Sequence, residues 1–245
     1  HTSLHSAMFA IRFGVADAAE YPALVSVIRS RGMACSVYGA QFLLEACYRC
    51  GLADHALALM VGGGLRSWRN MLDKGATITM EAWDDSLKPN QDWNHAWGAA
   101  PANIIPRGLC GIRPLSPGFG MFDVNPQIAS LSSVSLRQPT KHGPIELEIQ
   151  NGRMELAVPE GTRGIFGKQV LTPGKHCMNL CYTTGGGHCC SPPEPERYIS
   201  LQTKFRIPVL CLITVMLDQC CGADLERPPE IGSKSICAVS RFAGL

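Results

Sequence analysis

Apolar positions in the first half of the chain recur every three to four residues, and glycine interrupts the recurrence at intervals. SLHSAMFAIRFG, EYPALVSVIRSRG, SVYGAQFLLEACYRCG, ADHALALMVGG and SWRNMLDKG each predict a helix, stopped at Gly14, Gly32, Gly51, Gly62 and Gly75. Glycine just past a helix accepts the left-handed backbone that closes it, so this punctuation is informative. In the third segment Tyr38, Phe42, Ala46 and Cys50 fall four apart, with Leu43 and Cys47 beside them. That is a wide apolar stripe, and Ser36 can cap its start. Helical character returns at WNHAWGAA, where Pro101 and Pro106 are expected to break or kink it. Short loops between helices imply antiparallel neighbours stacked side by side. No strand is expected before about residue 112.

RPLSPGFG reads as a Pro/Gly-rich connector, and beyond it the period becomes two. In PIELEIQNGRMELAVPEG, Ile145, Leu147 and Ile149 alternate with Glu146, Glu148 and Gln150. Asn151-Gly152 is the preferred pair for a two-residue type I′ turn. That turn sets Ile149 opposite Met154, Leu147 opposite Leu156 and Ile145 opposite Val158, so all six side chains share one face. SSVSLRQP, residues 132–139, is a second half-buried strand. The fold class expected is therefore mainly α followed by β, with a small antiparallel β domain.

After about Cys181 neither period persists. Four of the twelve cysteines fall in 1–112, at positions helical packing would bury, and the other eight lie between 177 and 237. Cys177, Cys181, His188, Cys189 and Cys190 match the common zinc spacings poorly, so the tail is read as an irregular extension without a metal site.

Net charge is +2 and no Lys/Arg block marks a nucleic-acid surface. The longest apolar run, PVLCLITVML (208–217), is too short to span a bilayer, so no membrane partner is expected. The chain opens on His1 with neither an initiator Met nor a basic leader, and reads as cut from something longer. Its compartment and oligomeric state stay open.

One segment concentrates the chemistry. MEAWDDSLKPNQDWNHAWG, from Met80 to Gly98, holds three of the four tryptophans, and Trp68 lies just upstream. Flat rings stack on the C–H faces of a sugar while carboxylates and amides take its hydroxyls, and glycoside hydrolysis needs a carboxyl on each side of the scissile bond. Glu81, at the end of an element and beside Trp83, whose aromatic shielding is expected to raise its carboxyl, is the best candidate for one of them. Asp84 and Asp85 can take hydroxyls or orient the loop, and His95, next to Asn94 and flanked by Trp93 and Trp97, can donate to a hydroxyl or a carboxylate. Each has a plainer reading: solvated first-turn acids, core tryptophans and a satisfied core histidine.

GMACSVYGAQFLLEACYRCG and GATITMEAWDDSLKPNQDWNHAWGAAPANIIPRGLCGIRPLSPGF resemble the end of the catalytic domain of bacterial α-L-rhamnosidases. SVSLRQPTKHGPIELEIQNGRMELAVPEGT resembles the β-sandwich domain that follows it there. The resemblance implies that residues 1–112 are the last helices of an (α/α)6 barrel, 113–180 the β-sandwich domain and 181–245 an unmatched tail. It implies an inverting hydrolase that releases terminal L-rhamnose from a rhamnose-containing glycoside, with no cofactor. Glu81 matches the family's general base and His95 a residue that contacts rhamnose; Trp83, Asp84, Asn94 and Trp97 are the other expected sugar contacts. Nothing here matches the family's general acid, and Cys47 and Cys50 stand where Ala-like residues are expected. The segment thus reads as one wall of a cleft whose opposite wall lies elsewhere. A non-catalytic carbohydrate-binding module and a helical interaction protein are the alternatives. The absence of a residue signature at fixed period in the helices weighs against the latter.

Overall fold

A computed structural model of the chain describes residues 3–180 and 235–239. Helices come first: α1 (Leu4–Arg12), α2 (Tyr21–Arg31), α3 (Ala40–Arg49), α4 (Ala53–Val61), α5 (Trp68–Asp73) and α6 (Ala100–Ile104). Gly14, Gly32, Gly51 and Gly75 follow α1, α2, α3 and α5 with positive φ, whereas Gly62 leaves α4 in an extended conformation. Ser3 caps α1 through the Ser6 N–H. Ser36 accepts from the Gly39 N–H at 3.0 Å and so caps the turn that leads into α3.

Two local expectations are refined. The expected stripe is the packed face of α3, with Leu43, Ala46 and Cys47 buried beside Leu44 and with Phe42 and Cys50 half-buried against the core, but Tyr38, 51% exposed, is turned toward solvent. Of the break or kink expected at Pro101 and Pro106 the helix shows no break, and its irregularity lies at Pro106. Pro101 lies in the first turn of α6, where a missing N–H has no helical partner to lose. Pro106 lies in the first turn of a π-helical segment, Ile105–Leu109, that widens the helix end and closes with the Cys110 N–H on Ile105 O at 2.8 Å.

From Ile112 the chain is β. One sheet has strand order β1-β2-β6-β7, built from Ile112–Pro114, Met121–Val124, Arg163–Phe166 and Gln169–Leu171. The other is ordered β8-β5-β4-β3-β9, from Gly174–Asn179, Arg153–Val158, Ile145–Gln150, Ser133–Gln138 and Ser235–Val239. The predicted hairpin is β4–β5, with Ile149 opposite Met154 and Leu147 opposite Leu156. Asn151 and Gly152 have φ of 49° and 78°, as a type I′ turn requires, and all six alternating apolar side chains are buried. The sheets are not wholly antiparallel: β2 runs parallel to β6 and β3 parallel to β9. Residues 113 and 114 of the expected connector belong to β1. In the tail read as irregular, Ser235–Val239 forms a strand, and the rest of that segment lies outside the described residues.

A continuous apolar core joins the two parts, from Met8 and Ile11 through Leu44, Cys110 and Ile112 to Phe122 and the hairpin. At the seam Gly111 has φ 70° and its carbonyl accepts from the Asn125 N–H at 3.0 Å. A Cβ at Gly111 would fall 2.0 Å from the Asn125 carbonyl carbon, so only glycine permits this approach. Cys35 and Cys47 are packed as small apolar residues, and burial pushes both thiols up to about 12. Among the described residues no helix is long and apolar enough to cross a membrane.

Candidate active site

The Trp/carboxylate segment is a loop between α5 and α6 pinned across its base. The Glu81 N–H donates to Asp92 O at 2.9 Å and the His95 N–H to Thr79 O at 2.8 Å. The Thr79 hydroxyl donates to His95 O at 2.6 Å. Residues 79–81 and 92–95 therefore run side by side, which brings Glu81 and His95 together although 14 positions separate them in the chain. Gly98 makes the close approach possible, since a Cβ there would fall 2.7 Å from the Thr79 Cβ. Its carbonyl accepts from the Trp68 indole N–H at 2.7 Å.

Helix α5 supports the loop from beneath. Asn70 donates to Trp83 O at 2.9 Å and to Asp84 Oδ2 at 2.8 Å, and Lys74, one turn later, reaches Asp84 Oδ2 at 3.0 Å. Asp84 Oδ1 accepts from both the N–H and the hydroxyl of Ser86. Asp84 is buried and these donors, Asn70 foremost, hold its carboxyl far below the usual carboxylate range. Asp85 accepts from the Trp93 indole at 3.0 Å, from Gln91 and from Lys74, which lowers it as well. Trp83 is buried edge-on against Trp68, and its indole N–H donates to Cys35 O at 2.8 Å.

The open side of the loop carries the remaining candidates. Glu81 Oε1 pairs with the Lys88 ammonium and Oε2 accepts from the Asp92 N–H at 3.2 Å. The expectation of a Glu81 carboxyl raised by aromatic shielding is corrected: Trp83 is buried against Trp68, and both interactions, the Lys88 contact first, lower the carboxyl below its ordinary value, so it is ionised at neutral pH. The His95 ring stacks on Trp97 with centroids 4.0 Å apart, and its Nδ1 lies 3.7 Å from Asp92 Oδ2. Trp97, Trp93 and Asn94 are exposed. Tyr38 extends the aromatic surface, its ring 5.5 Å from that of Trp97.

Of the six expected site residues, the structure gathers Glu81, His95, Asn94 and Trp97 on the open side, and places Trp83 and Asp84 underneath. Sequence reading missed Lys88, Asp92, Asn70, Lys74 and Tyr38. Lys88 carried a weak signal, a cation in a turn seven residues from the candidate acid. Among the described residues Glu81, Asp92 and His95 are the one trio that could hold a metal ion, with ligand atoms within 4.8 Å of one another. The Lys88 ammonium already sits against the Glu81 oxygen in that trio.

Residues 1–109 match the family model described as the bacterial alpha-L-rhamnosidase 6 hairpin glycosidase domain. Residues 111–166 match the bacterial alpha-L-rhamnosidase C-terminal domain. No curated protein matches the sequence. The fold is similar to the native alfa-L-rhamnosidase from Aspergillus terreus, with TM-score 0.62 and 16% identity, over 73% of this chain and 24% of that one. It is also similar to the Streptomyces avermitilis alpha-L-rhamnosidase complexed with L-rhamnose (TM-score 0.57, 20% identity, 67% of this chain and 18% of that one). The alpha-L-rhamnosidase from Dictyoglumus thermophilum gives TM-score 0.58 at 16% identity, over 67% of this chain and 20% of that one. The chain thus spans about a quarter or less of the length of each of these structures. With consecutive segments matching consecutive domains of one family, the chain belongs to the bacterial alpha-L-rhamnosidases, as part of their six-hairpin glycosidase domain followed by their C-terminal domain.

Proposed function

We propose that this chain supplies the base side of a cleft that hydrolyses terminal α-L-rhamnosides with inversion, and that the general acid comes from a part of the barrel outside the 245 residues. The observation that carries this reading is the Glu81 carboxylate: it is ionised, fixed at both oxygens and set beside His95. A carboxylate accepts at several lone-pair positions, so Lys88 and the Asp92 N–H leave room for a water. Glu81 takes a proton from that water as its oxygen attacks the anomeric carbon. An acid about 6.5–9.5 Å away protonates the leaving oxygen. His95 donates to a rhamnose hydroxyl, Asn94 takes another, and the exposed Trp97 ring lines the sugar's C–H face. Trp83 and Asp84 act from beneath, by fixing the loop. We place the domains at 1–112 and 113–180.

A chromogenic α-L-rhamnoside tests both halves of the proposal. The isolated chain is expected to give no turnover. The complete enzyme carrying Glu81→Gln is expected to lose about 10²–10⁴-fold in rate while still binding rhamnose. Turnover by the isolated chain would refute the missing acid, and near-normal rates in Glu81→Gln would refute the base.

A further inference from the structure

We infer that Lys88 is a positioning residue for Glu81, fixing the carboxylate in orientation for water activation through a rigid turn anchored on Asp84. The inference rests on the base reading of Glu81 and adds the group that makes it a fixed base.

Lys88 is held at its backbone on both sides. The N–H groups of Leu87 and Lys88 both donate to Asp84 O, at 3.0 and 3.3 Å, and Lys88 O accepts from the Gln91 N–H at 3.2 Å. Asp84 is in turn fixed by Asn70, Lys74 and Ser86. A continuous line of contacts therefore leads from helix α5 through Asp84 to the ammonium that meets Glu81 Oε1. A lysine on a free loop would lose much side-chain entropy in forming such a pair, and surface pairs of that kind contribute little. Here the backbone is already ordered, and the Glu81 side chain is only 16% exposed.

The groups around Glu81 leave its second oxygen to the lysine. The imidazole of His95 and the carboxylate of Asp92 lie within the same small cluster, but the Asp92 side chain is largely exposed and only its N–H holds Glu81. The Asp92 N–H holds Oε2 alone and leaves the carboxylate free to swing about that contact. Lys88 closes the second point. Two-point fixation matters because reacting groups displaced by about 1 Å lose on the order of 10²-fold in rate.

Two measurements test this, and they fail separately. In the 245-residue chain, ¹³C-carboxyl labelling of glutamate with Glu81→Gln as the assignment control reads the Glu81 titration directly. Lys88→Met is expected to move that titration upward and Lys88→Arg to leave it low. An unchanged midpoint in Lys88→Met overturns the pairing. In the complete enzyme, Lys88→Met is expected to lower kcat about 10²-fold with KM little changed. Its acid limb should move to higher pH, and Lys88→Arg should recover most of the rate. A shifted titration with unchanged kcat overturns the positioning role and leaves Glu81 as base. Near-normal turnover of Glu81→Gln removes the base itself and the positioning role with it.

Discussion

The indole of Trp68 meets that of Trp83 edge to face, with centroids 4.9 Å apart and planes at 83°. Their two N–H groups point to different partners, Trp68 to Gly98 O and Trp83 to Cys35 O. The pair thus ties α5, the loop and the turn before α3 into one unit. Trp83→Ala is expected to cost about 3–5 kcal/mol, as for a buried aromatic replaced by a small side chain. Trp83→Phe keeps most of the packing and loses the indole hydrogen bond to a Cys35 carbonyl that still accepts from Arg66 at 3.2 Å, and is expected to cost about 0.5–1.5 kcal/mol. Urea unfolding of the two variants checks the order; equal costs would mean that the packing contributes nothing, and a costless Trp83→Phe that the indole hydrogen bond contributes nothing.

Gly98 is predicted to be irreplaceable for a packing reason. A methyl group there meets the Thr79 Cβ at 2.7 Å and the Met80 carbonyl oxygen at 3.0 Å, and Thr79 holds His95 at both its N–H and its carbonyl. Gly98→Ala is expected to cost about 1–3 kcal/mol by overpacking and to move the His95 ring resonances. Gly63→Ala, where an added Cβ has open space, is the control and should change neither.

Acid sensitivity follows from Asp84. Its carboxyl is lowered by Asn70, Ser86 and Lys74, so the folded state binds the Asp84 proton less readily than the unfolded state. The stabilisation is therefore complete above the unfolded value of about 3.9 and is lost as pH falls from there through the depressed folded value. Urea midpoints measured downward from pH 5 should fall more steeply for the wild type than for Asp84→Asn. Parallel curves would show that the Asp84 charge does not drive the acid limb.

The hairpin turn offers a conformational test. Gly152 has φ 78°, a region that costs a residue with a Cβ roughly 1–2 kcal/mol. Gly152→Ala should lower stability by that amount, while Asn151→Gly, which relieves the same strain at φ 49°, should be tolerated. Chemical unfolding reads both.

How far these features were legible depended on whether local chemistry decided them. The hairpin was legible because turn type and alternation agree independently on one register. The helix stops were legible at Gly14, Gly32, Gly51 and Gly75 because each needs the left-handed backbone. The short strands β1, β6 and β7 were not, since three or four residues carry too little period. The parallel pairing of β2 with β6 is a tertiary fact with no local signature. At the site, aromatic and acidic residues drew attention to Glu81 and His95. Which of them lie open and which lie beneath was decided by Asn70 on α5 and Lys74 at its C-terminal cap, whose side chains look like ordinary helix-surface residues in the sequence.

The parallel β2–β6 pairing also orders events in time. Strands β3, β4 and β5 lie between its partners, so Met121 finds Arg163 only by closing a loop of roughly forty residues. The β4–β5 hairpin closes through two residues and forms on a microsecond scale. Distant pairings wait on such closures, and this one adds the third of four strands to the sheet that begins at Ile112, directly after the Gly111 seam. As the chain emerges during synthesis, the hairpin can be finished while the sheet abutting the helices still lacks its third strand.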